Sequence, residues 1–113
     1  MSRISTFLDD TAKELNSMSL ISRVRLGKLG KENKSIALRV MPSNNLHFYE
    51  GQRDINLSYQ VLVKSDSQLE ALKEIENIAE YLITKGSEVY SEPSYLEEDE
   101  QGYTYTVALK ITI

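Results

Sequence analysis

Tyr103-Thr104-Tyr105-Thr106-Val107-Ala108-Leu109-Lys110-Ile111-Thr112-Ile113 alternates without a break. Tyr103, Tyr105, Val107, Leu109, Ile111 and Ile113 fall on one side, and Thr104, Thr106, Ala108, Lys110 and Thr112 on the other. A period of two, carried by β-branched and aromatic residues, is the pattern of a half-buried antiparallel strand. At about 3.3 Å per residue such a strand spans roughly 35 Å, longer than average. The reading makes the C-terminus an integral part of a sheet. A second run, Asp54 to Val63, repeats the alternation through Ile55, Leu57, Tyr59, Val61 and Val63. Two long strands with a Ser- and Thr-rich second face suggest a building platform, not a catalytic pocket.

Outward from these strands, two helices are legible. Residues 4–18 place Ile4, Phe7, Leu8, Thr11, Leu15 and Met18 on one stripe, with Asp9, Asp10, Lys13 and Glu14 away from it, and Ser2 or Ser5 as a cap. Residues 67–84 gather Leu72, Ile75, Ile78, Ala79 and Leu82 on one face. Ser67 followed by Glu70 fits a capping box, with Ser65 and Asp66 as other candidate caps, and Gly86 stands where a left-handed C-terminal residue belongs. Residues 20–26 and 35–41 read as strands joined by a Gly27–Asn33 hairpin connector. Pro42 to Asn45 reads as a turn, and 46–50 as a short extended piece. Residues 88–95 read as extended, with Pro93 arguing for an edge or a bulge. Glu97 to Gly102 reads as a polar hairpin-like loop, mobile until it meets a partner. The expected fold is a single α+β domain over 1–113. It is a mostly antiparallel mixed sheet with two helices packed on it, in the order α-β-β-(β)-β-α-β-β.

The 113 residues fit one domain with a modest core, and 41% hydrophobic with 27% charged is a globular composition. Cysteine is absent, which excludes disulfides, thiolate metal sites and cysteine nucleophiles. No apolar run approaches the ~20 residues of a membrane helix, and Met1 to Asp10 carries two aspartates where a signal peptide needs a basic start and an apolar stretch. A soluble protein kept in a cytoplasm is the simplest expectation. The net charge of −4 hides a split: residues 1–64 carry ten Lys/Arg against six Asp/Glu, and residues 65–113 three against eleven. Such asymmetry marks an electrostatic partner or two unlike faces of one domain.

Motifs for chemistry are thin. Gly27-Lys28-Leu29-Gly30-Lys31 has two residues between its glycines where a P-loop needs four, and Glu32 stands where Ser or Thr should follow the lysine. It spells a GXXG nucleic-acid clamp, but that clamp joins helices and its neighbours here read as strands. Arg23, Arg25, Lys28, Lys31, Lys34 and Arg39 form a basic stretch with one acid, Glu32. No aromatic residue lies between 19 and 45 to stack bases, so a solvated basic hairpin, or one docking on an acidic protein, is favoured over a nucleic-acid reader. His47 is the only histidine and has no partner pattern for zinc or for general base catalysis. Glu97 to Glu100 lacks the spaced ligands and midpoint glycine of a calcium loop. Glu70 and Glu74, and Glu76 and Glu80, are like-charge pairs at i, i+4, each a small penalty unless cations arrive from elsewhere. No enzyme, metal or cofactor is expected.

The segment Arg39-Val40-Met41-Pro42-Ser43, then Tyr49-Glu50-Gly51, then the strand Ile55–Val63 ending in Lys64-Ser65 and a Leu- and Glu-rich helix up to Leu82, resembles the small tail-terminator proteins of long-tailed phages. Such proteins are often called minor capsid or tail-completion proteins in phages of Gram-positive bacteria. The resemblance implies a mixed sheet with helices packed on it. It also implies a ring, usually hexameric, that stops tail-tube growth and joins the tube to the head. The implied partners are further copies of the chain, a tail-tube protein and a head-completion protein. The implied location is the virion's head–tail junction, assembled in the host cytoplasm, with DNA touched only in the ring lumen. No catalytic residues carry over from that family. A ring of identical subunits joins one patch to a different patch on the neighbour, which a basic first half and an acidic second half suit. The expected interface residues are Arg23, Arg25, Lys28, Lys31 and Lys34 against Glu70, Glu74, Glu97, Glu98 and Glu100. The alternative is a small α+β binding module for nucleic acid or a regulatory ligand.

Overall fold

The computed structural model describes residues 3–27, 29–30, 33–40, 56–99 and 102–112. Two helices, α1 (Arg3–Asn16) and α2 (Gln68–Thr84), accompany five strands. These are β1 (Val24–Leu26), β2 (Ser35–Val40), β3 (Asn56–Ser65), β4 (Glu88–Asp99) and β5 (Gly102–Thr112). They form one sheet in the order β1-β2-β3-β5-β4. The fold is α+β, as the patterning indicates. The expected turn at 42–45, the extended piece at 46–50 and His47 lie outside the described residues.

β3 and β5 form the centre, paired antiparallel from Asn56↔Thr112 to Ser65↔Tyr103. Period two brings Leu57, Tyr59, Val61 and Val63 onto the same face as Tyr105, Val107 and Leu109, where both helices pack. The helical stripes answer them. Leu15 and Ala12 of α1, and Ala71, Ile75, Ile78 and Leu82 of α2, are buried in the same core. Tyr59 is fully buried; its ring meets Phe7 edge-on at 5.3 Å, and its hydroxyl is hydrogen-bonded to that of Ser87.

α2 ends in a Schellman arrangement. Gly86, at φ +104°, donates to the Ile83 carbonyl, and Ser87 donates to that of Leu82. Its start departs from a full capping box. Ser67 Oγ accepts the Glu70 amide at 3.3 Å, but the Ser67 amide donates to Ser65 Oγ instead of the Glu70 carboxylate. Ser5 lies inside α1 and is not its cap.

Four expectations need correction. The first strand covers only Val24–Leu26, not 20–26, and it runs parallel to β2 in the register Val24↔Ile36 instead of forming a hairpin with it. Gly27, at φ +101°, turns the chain out of β1 after three residues. Second, β5 is not half-buried in its middle: Thr104, Thr106 and Ala108 are buried along with the core-facing residues. Their partners Leu62 and Lys64 are buried too, as is Ala37 opposite Leu62. Alternation tells which side a residue faces, not what lies against that side. Third, Glu97, Glu98 and Asp99 are not loop residues; they extend β4, opposite Thr104, Tyr103 and Gly102. Fourth, Glu74 leaves the polar face of α2 and is buried. Pro93, by contrast, stands as expected, on an edge strand and within one of its register shifts, between Ser91 and Ser94.

Candidate assembly surface

Among the described residues the edges of the sheet are β1 and β4, and they differ in length and charge. β1 is three residues long, with Arg23 preceding it and Arg25 within it, both exposed. The segment leading into it is fixed by two side chains. Asn16 Oδ1 accepts the Val24 amide at 2.7 Å, and Glu74 Oε2 accepts the Ile21 amide at 2.7 Å. This edge is therefore a rigid support for its arginines. β4, at the other edge, contains Glu88, Glu92, Glu97, Glu98 and Asp99 and no basic residue. Glu88 lies 3.8 Å from Lys110 of the adjacent β5. Three register shifts interrupt its pairing with β5. Bulges and a proline blunt an edge against uncontrolled strand addition.

The expected interface residues divide accordingly. Arg23 and Arg25 share the β1 edge, while Glu97 and Glu98 share the β4 edge, on opposite sides of the sheet. Lys28, Lys31 and Glu100 lie outside the described residues. Lys34 and Glu70 meet within the chain: Lys34 Nζ is 2.9 Å from Glu70 Oε1, which also accepts from Ser65 Oγ at 2.8 Å. The hydrogen bond from Lys34, helped by Ser65, lowers the Glu70 pKa, and the same bond raises that of Lys34. So the cation that α2 needs for its first like-charge pair comes from its own chain. Glu74 is buried and taken by the Ile21 amide, which leaves Glu76 and Glu80 as the exposed acids of that helix face.

Sequence reasoning missed Asn16 and Glu74 as the groups that tie loops to helices. Asn near the end of an amphipathic stripe was the one available signal, as a residue apt to bond nearby amides.

Chemistry beyond charge is sparse. Among the described residues no three His, Cys, Asp or Glu side chains group as metal ligands, and no helix is long and apolar enough to cross a membrane. A crevice between α1, α2 and β5 is lined by Thr11, Glu14, Lys85 and Ser87. Glu14 there accepts from the Tyr81 hydroxyl at 3.0 Å, and Ser87 is bonded to Tyr59. Comparison with known protein families, curated proteins and solved structures finds no match.

Proposed function

We propose that this chain is a structural assembly subunit, a phage tail terminator that forms a ring closing the tail tube and joining it to the head. One observation carries the reading: the sheet ends in two unlike edges, a short one flanked by arginines and a long one rich in acids. A closed ring needs heterologous contacts between two different patches, and each subunit offers such a pair. The helices-on-one-face architecture agrees with the fold that the sequence resemblance implies.

Negative-stain images of the purified chain, alone and mixed with tail tubes, test this. Closed rings, and rings seated at tube ends, are expected. A chain that stays monomeric and instead binds DNA with strong salt dependence would replace this reading with that of a binding module.

A further inference from the structure

The two edges are complementary in direction as well as in charge. β1 runs parallel to β2, and each later step across the sheet, β2 to β3, β3 to β5 and β5 to β4, is antiparallel. β1 and β4 therefore run in opposite directions. A rotation about an axis along the strands carries one copy onto the next without reversing them. It places β4 of one copy antiparallel to β1 of its neighbour, with both helical layers on the same side.

We propose that copies of this chain associate edge to edge, the Arg23–Arg25 side of β1 facing the acidic strand β4 of the next copy. This names the contacting surfaces of the assembly proposed above and rests on that reading for its closure into a ring. The occupant is a second copy because the charges match within one chain. Arg23 and Arg25 stand at one edge, and five acids without a basic residue stand at the other. Both edges are also blunted against plain strand addition. Asn16 holds the Val24 amide, and Pro93 and the register shifts interrupt β4. Charge pairing, more than a continuous backbone ladder, then selects the partner, and opposite charges at a contact set specificity and orientation. Like edges repel, so a two-fold pairing of β4 with β4 is disfavoured.

The test uses the full chain, with circular dichroism as the folding control and light scattering plus sedimentation to follow association at about 50 mM and about 1 M salt. Wild type is expected to associate at low salt and to weaken at least about tenfold at high salt. R23E/R25E makes both edges acidic, and E97K/E98K takes β4 from five acids with no basic residue to three acids against two lysines, which cancels most of its charge. Each alone is expected to lose association by a similar factor. Mixed in equal amounts the two variants are expected to recover it, because each supplies the edge that the other lacks. If R23E/R25E does not fold, R23Q/R25Q takes its place with the same expected direction. Association that ignores salt and both reversals, variants that stay apart when mixed, or a wild type that is monomeric throughout overturns the edge contact. Recovery on mixing with open chains in place of rings keeps the contact and sinks the ring. Rings indifferent to the reversals do the opposite.

Discussion

Replacing Gly102 by alanine would drive a methyl group into the carbonyl of Ser65 at a backbone φ of +142°. Neither can yield easily, since Ser65 closes β3 and also binds Ser67 and Glu70. Gly102→Ala is expected to destabilise by about 1–3 kcal/mol, read as a lowered urea midpoint. Glu74→Ala removes the acceptor of the Ile21 amide and should cost about 1 kcal/mol or more. An unchanged midpoint would mean that water replaces the carboxylate freely. Glu70 gives a pH signature. Its folded pKa is depressed by Lys34 and then Ser65. Its contribution is therefore present above the unfolded carboxylate value of about 4.3 and lost as pH falls through the folded value. The midpoint difference between wild type and Glu70→Gln should thus shrink from pH ~7 to pH ~3. An equal difference at both would refute the Lys34–Glu70 tie. These roles were hidden in the sequence because Lys34 and Glu70, or Ile21 and Glu74, become neighbours only when α2 packs on the sheet. Spacing along the chain reports i, i+4 neighbours and nothing beyond them.

At the scale of elements, β5 is the strand on which the sheet is hung. It pairs on both sides, with β3 and β4, and its middle is buried on both faces. Leu109→Ala should cost about 2–5 kcal/mol, a large share of the ~5–15 kcal/mol stability of a domain. Deleting residues 107–113 should leave an unfolded or insoluble chain, and a soluble truncation with a cooperative melt would show that the strand is dispensable. Both long strands, both helices and the Gly86 stop were legible because a strong period or a local cap specifies each. The parallel β1–β2 pair was not, since three residues of strand carry no mark of direction. Glu97 to Asp99 misled for another reason. Consecutive acids suggest a hydrated loop, yet among the described residues β4 is an edge strand paired on one side only, a position that tolerates charge. The opposition of basic and acidic edges was half visible. The charge split was plain in the sequence, but its placement at opposite ends of one sheet depends on strand order.

At the scale of the molecule, one core reaches from α1 through every strand of the helical face to α2. A chain built that way should unfold in a single step, so thermal curves followed by backbone and by tyrosine signals should coincide. Separate transitions would show that the β1 side melts by itself. Tyr59 offers a view of that event from inside. The chain has seven tyrosines and no tryptophan, so its near-ultraviolet spectrum is a tyrosine spectrum. Burial raises the Tyr59 pKa, with its bond to Ser87 acting in the opposite sense. The protonated phenol therefore favours the folded state, fully so below about pH 10, and this support is lost as alkali carries the pH up through the folded value. During an alkaline titration the Tyr59 phenolate should appear late, in step with the loss of structure. The ring that fills the centre of the sheet is thus a built-in optical clock for the opening of the whole subunit.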